Sequence, residues 1–167
     1  YNRNKTAEKW KSLLTQLNKN DPAGYKNMVR IYPDMGHWMK LKDAESLPWM
    51  ASFTRNPWPK KIIWQQSNNI NSRFYWLKIP EKYLTKGQRI TANVKDNTIS
   101  IDTEKVSHLT IRLSDQLLDL DKEIKISVNG QKKFTGKVKR SVKEIITSLD
   151  QRADPKSVAT ASVSLKL

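Results

Sequence analysis

Cysteine is absent from this 167-residue chain, which removes disulfides, thiol nucleophiles and cysteine-based metal centres together. Glycine is scarce, at five residues, so there is no phosphate-cradling glycine-rich loop and no Gly-x-Ser-x-Gly nucleophile elbow. The two histidines, His37 and His108, lie far apart in sequence, which argues against a histidine-pair metal site. No apolar run approaches the length of about 18 residues that a membrane-spanning helix needs, so no membrane span is expected. A start methionine and an apolar leader are also missing. The opening Tyr1-Asn2-Arg3-Asn4 reads as a processed or truncated start.

Aromatic residues and positive charge are what the chain does have. Six Trp, five Tyr and three Phe suffice to build cores and exclude wholesale disorder. The formal net charge is +15 and is spread along the chain: residues 1–58 hold 10 basic and 5 acidic side chains, and residues 59–167 hold 21 and 11. Such an excess attracts polyanions, but spread out in this way it predicts weak, salt-sensitive binding and no specific nucleic-acid recognition.

Two segments with different periodicities follow one another. Ala7, Trp10, Leu13, Leu14 and Leu17 recur at helical spacing and predict a helix over residues 5–19, ended by the Asn-Asp-Pro stretch and Gly24. Met28, Val29 and Ile31 predict a strand over residues 27–32, closed by Pro33 and followed by a loop carrying His37. A second short helix is expected from Asp43 through Phe53, with Pro48 in its first turns. Helix, strand, loop and helix make an α/β signature, yet a lone strand has no local partner for its backbone groups. Asn56-Pro57-Trp58-Pro59 marks the boundary, giving an α/β segment at 1–58 and a β region at 59–167.

Beyond that boundary the period is two. Strands are expected at 61–66, 73–79, around Ile90 to Val94, around Ile99 to Ile101, around Leu109 to Leu113, around Ile124 to Val128, around Phe134 to Val138, and at 159–167. Asn129-Gly130 is a strong hairpin signal. Residues 141–149 read as a short helix or a covering loop. The fold class predicted is therefore mainly β: an antiparallel β-sandwich-like region preceded by a short α/β segment.

His37 is the one residue with a sharp catalytic reading. A histidine in a Gly-His loop after a strand is placed to accept a proton from a serine, given a carboxylate on its other nitrogen. Asp34 is too close on the same tight loop to be that acid. Asp115, Asp119, Asp121 and Glu123 have a loose oxygen-ligand spacing, but they lack the glycine and terminal glutamate of a calcium loop. Asx-turn hydrogen bonding is the better reading, so neither a metal nor a cofactor is expected. His108, inside an alternating strand, reads as structural or half-exposed. Trp58, Trp64, Phe74, Tyr75 and Trp76 are close in sequence. They form either core or, less favourably, a stacking platform for sugars or bases.

The stretch Tyr32-Pro33-Asp34-Met35-Gly36-His37-Trp38-Met39 resembles the last strand and histidine loop of α/β-hydrolases, in particular bacterial esterase- and peptidase-like members with a C-terminal β domain. Leu47-Pro48-Trp49-Met50, Phe53-Thr54-Arg55-Asn56-Pro57, Arg73-Phe74-Tyr75-Trp76-Leu77, Leu118-Asp119-Leu120-Asp121 and Val128-Asn129-Gly130 are similar to that group as well. The resemblance implies a Ser, Asp, His order in which only the histidine, His37, falls inside this chain. It implies a serine hydrolase of esters or peptides that is inactive without its upstream part, and an extracytoplasmic location. The upstream hydrolase domain or another copy of the chain would be the partner of the apolar helix faces at 1–58. The alternative is a non-catalytic β-sandwich module that binds glycans, partner proteins or anionic surfaces.

Overall fold

A computed structural model describes residues 3–22 and 24–167. The chain is mixed α/β: a short N-terminal segment precedes a larger, mostly β region built of two sheets. It divides into two compact units, Tyr1–Arg55 and Asn56–Leu167.

In the first unit, helix α1 (Arg3–Asn20) follows the helical spacing of the apolar residues. A 3-10 turn (Met39–Glu45) runs into helix α2 (Ser46–Ala51), which carries Pro48 at a position where its missing N–H costs nothing. The strand expected at 27–32 does not form, and these residues join no ladder. The reason is the accounting of backbone groups: a single extended segment has no second strand to bond with in this unit. None of the unit's described residues is buried, although Trp10, Leu13, Trp38, Leu41, Leu47, Met50 and Phe53 are large and apolar.

The second unit contains the core. Trp58, just past the proline-flanked link, already belongs to it: the ring is buried and its indole N–H donates to the Lys156 carbonyl at 3.0 Å. Strand β1 (Lys61–Gln65) buries Ile62 and Trp64 and turns Ile63 outward, as the alternation predicts. The single strand expected at 73–79 is instead a tight hairpin of β2 (Arg73–Phe74) and β3 (Leu77–Lys78), reversed at Tyr75 with φ +51°. The reversal pairs Phe74 with Leu77 on the core side. It also buries Trp76, whose indole N–H donates to the Pro59 carbonyl at 2.8 Å. A straight strand would have sent Trp76 and Leu77 to opposite faces.

Strands β4 (Arg89–Lys95) and β5 (Thr98–Glu104) form a hairpin through Asp96-Asn97. Strand β6 (His108–Leu113) follows. Strands β7 (Ile124–Val128) and β8 (Gln131–Gly136) turn at Asn129-Gly130, both with positive φ, as a type I′ turn requires. Helix α3 (Val142–Arg152) ends on left-handed Ala153, and β9 (Ala161–Lys166) closes the chain.

The sheet orders are β1-β4-β5-β7-β8 and β2-β3-β6-β9. All pairings are antiparallel except β5 with β7, which is parallel. The region is therefore not wholly antiparallel, contrary to the expectation from its alternation. Between β5 and β7 the chain crosses to the other sheet as β6 and returns, and such a crossover lets neighbouring strands run the same way. One buried cluster draws on both sheets, with Ile90, Ile101 and Ile126 from the first and Leu77, Leu109 and Ile111 from the second.

Candidate functional site around His37

His37 sits in a turn closed by the Met39 N–H donating to the Gly36 carbonyl at 3.0 Å. The three residues after Trp38 (Met39, Lys40 and Leu41) all have positive φ, between 43° and 62°. For side-chain-bearing residues this conformation costs about 1–2 kcal/mol each and persists only when the surroundings enforce it. The imidazole is exposed and meets the Trp38 ring edge-on at 5.1 Å between centroids. Among the described residues it has no hydroxyl or carboxylate within hydrogen-bonding distance, and Asp34 does not orient it.

Beside it lies a cavity of about 490 Å³ lined by Arg3, Ala7, Arg30, Tyr32, Met35 and His37 among others. Its polar wall is tied together. Glu45 accepts from the Tyr32 hydroxyl at 2.9 Å and from Arg30 Nε at 3.2 Å. That hydrogen bond to the Glu45 carboxylate raises the Tyr32 hydroxyl above its ordinary pKa. Chemically, His37 is an unengaged base: it can take a proton, but the described residues supply neither a nucleophile to activate nor an acid to hold its tautomer.

The other sequence candidates resolve into structural roles. The Asp119 carboxylate accepts the Asp121 N–H at 3.0 Å in the expected Asx geometry, and pairs with Lys122 at 2.9 Å. Arg140 bridges Asp115 and Asp121, each at 2.6 Å, and holds the Asp115 carboxyl below its ordinary pKa. Among the described residues no group of three or more His, Asp or Glu side chains is arranged to hold a metal ion. His108 is half-buried on β6 and stacks flat on Tyr83 at 3.6 Å. The aromatic platform does not form: Trp58, Trp64 and Trp76 are buried, and Phe74 and Tyr75 pack against the core.

A basic cluster on the four-stranded sheet escaped the sequence reading. Arg112 on β6 is only 4% exposed, and its guanidinium donates to the Gln151 side-chain oxygen. Arg73 on β2 donates to the same oxygen at 3.1 Å and to the Gln151 carbonyl at 3.2 Å. Arg152 on α3 donates to the Tyr75 carbonyl at 3.4 Å. Burial, and then the nearby positive charge of Arg73, lower the Arg112 pKa, while Glu144 opposes the shift. The usable signal was the alternation of His108, Thr110 and Arg112 on one side of a strand, but the partner strands could not be read locally.

No helix among the described residues is long and apolar enough to cross a membrane. No family model matches the chain, and neither the curated proteins nor the solved structures contain a match.

Proposed function

We propose that residues 1–55 are the closing part of an α/β-hydrolase catalytic domain, with His37 as the general base of a serine hydrolase. In this reading the serine, the acid and the oxyanion donors lie upstream of Tyr1. The β region is an accessory β-sandwich, its two sheets packed face to face over the shared buried cluster. The observation that carries the proposal is the pairing of an unengaged imidazole with a unit that buries nothing. Eight large apolar or aromatic side chains among that unit's described residues stand exposed, Trp38 against the imidazole itself. Burying each would gain about 1.5–3 kcal/mol, so these faces gain by meeting more protein, which an upstream hydrolase sheet would supply. The strained run at Met39, Lys40 and Leu41 likewise calls for surroundings that enforce it.

The test is direct. The reading frame upstream of Tyr1 should encode a Gly-x-Ser-x-Gly segment and, shortly before Tyr1, an Asp or Glu. The longer polypeptide should hydrolyse a p-nitrophenyl ester, and His37→Ala should lower kcat by roughly 10³-fold or more. The present chain alone should not turn over the ester. An upstream frame without the serine segment, or full activity in His37→Ala, would refute the proposal.

A further inference from the structure

The four-stranded sheet turns one face to the core; on the other, Gln151 of α3 bonds Arg112 and Arg73 and Arg112 is buried, while Lys78, Thr110 and Ser164 keep exposure. The register places Arg73 opposite Lys78, Lys78 opposite Thr110, and Thr110 opposite Ser164, in a single row across all four strands on the outward face. Arg112 with Ser162 lies on one side of this row, and His108 with Lys166 on the other. The four strands contain Arg73, Lys78, Arg112 and Lys166 and no acidic residue.

This arrangement is costly for stability alone. Like charges directly opposite on paired strands repel, and Arg73 and Lys78 are such a pair. Lys78 has no acidic partner among the described residues. Gln151 meanwhile receives two guanidiniums on one neutral oxygen, which fixes Arg73 in place without neutralising it. Only one nitrogen of Arg73 is engaged there, and its other two guanidinium nitrogens have no hydrogen-bond partner among the described residues. Between the cations, the Thr110 and Ser164 hydroxyls lie 3.0 Å apart and share one hydrogen bond, leaving a donor and several acceptor sites.

We infer that this outward face binds an acidic polysaccharide, with Arg73 and Lys78 taking its carboxylate or sulfate groups and Thr110 and Ser164 its hydroxyls. Guanidinium forks match both anions in a bidentate way. Neighbouring strands lie about 4.8 Å apart, so the row offers donors at a spacing near that of successive rings in an extended sugar chain. Nucleic acid fits less well. His108, at one end of this face, already stacks on Tyr83 at 3.6 Å, and the large apolar side chains exposed in the second unit, Ile63, Ile70, Val142, Ile146 and Leu149, are not aromatic, so unpaired bases gain little stacking. None of the five belongs to the four strands themselves; Val142, Ile146 and Leu149 are on α3. The inference is independent of the hydrolase reading.

Titration calorimetry of the full chain with polygalacturonate and with heparin, at about 0.15 M salt, tests it and separates carboxylate from sulfate recognition. Lys78→Gln should weaken binding about 3–10-fold and Arg73→Gln/Lys78→Gln more than about 10-fold. The control Lys61→Gln/Lys132→Gln, with the same charge change on the other sheet, should shift it less than about 2-fold. Lys78→Gln alone decides the matter if the loss of Arg73 disturbs folding. Binding to neither glycan would overturn the proposal, as would equal losses in the control. Duplex DNA binding as tightly as the better glycan and losing as much in Lys78→Gln would replace the glycan with nucleic acid.

Discussion

Gln88 offers the sharpest test of how the second unit is held. Its side chain is 1% exposed at the entry to β4. The amide donates to the Tyr83 carbonyl at 2.8 Å and to the Lys105 carbonyl at 3.0 Å, and accepts the Thr85 N–H at 3.0 Å. One side chain thus pins the 83–87 loop to the β5–β6 connection. Gln88→Leu keeps the volume and removes all three bonds. Each buried group left unsatisfied costs about 1–3 kcal/mol. Thr85 and Lys105 are exposed residues, so part of that cost is recovered by water. Burying leucine in place of an amide offsets a further part. The net expectation is a loss of about 2 kcal/mol. For a unit of this size that lowers Tm by about 10 °C and the urea midpoint by roughly 1 M. The buried Trp58, Trp64 and Trp76 make fluorescence a suitable probe. A Gln88→Leu protein within about 0.5 kcal/mol of the parent, with an unchanged urea slope, would show that the amide network does not hold the loop.

Two further outcomes follow from the turn and the ion pairs. At Gly130 no atom lies within 4 Å of where a Cβ would sit, so Gly130→Ala should pay only the left-handed backbone, about 1 kcal/mol in a thermal melt. No loss at all would mean the turn is not type I′. Asp115 has a folded-state pKa depressed by Arg140. Its stabilisation is therefore present at neutral pH and is lost as pH falls below about 4 through the depressed value. The pair is half-exposed, so the effect is small and screened by salt. Asp115→Asn should flatten the acid limb of urea midpoint against pH, and an acid limb as steep as the parent's would refute the coupling.

The sequence announced its elements unevenly, and the reasons are physical. Helix α1 was legible because Trp10, Leu13 and Leu17 repeat at the pitch of a helix. Strands β4 to β7 were legible because one face of each is buried and period two is unmistakable there. The reversal at Tyr75 was not, since neither Gly, Pro nor Asn marks it. It exists to bury Trp76, a tertiary reason with no local signature. The parallel pairing of β5 with β7 was hidden for a similar cause: alternation tells which side of a strand is buried but not which strand lies beside it. The same limit concealed the basic face. Arg73, Lys78, Thr110 and Ser164 are ordinary taken one at a time, and become a row only through the register. The expected strand at 27–32 failed in the opposite way. Met28, Val29 and Ile31 carry strand propensity, but propensity cannot supply a missing hydrogen-bonding partner.

That last failure bears on His37. The stability of a helix such as α1 comes mostly from packing of its apolar face. In the first unit that face is open: Trp10 is 57% exposed and Trp38 79%. The run from Met39 to Leu41 adds conformational strain of roughly 3–6 kcal/mol with no buried contact in its own unit to offset it. A catalytic imidazole has to be held to within a fraction of an ångström, by neighbours whose own rotamers are locked. The second unit, with its continuous core and its buried Gln66, Gln88 and Arg112 all hydrogen-bonded, has that rigidity. The first has no buried residue among those described. A segment that carries an exposed imidazole beside a strained turn, among apolar faces that cover nothing, gains a defined geometry only when further protein surface packs against it. The face of the four-stranded sheet, in contrast, needs nothing beyond its own unit to present its cations.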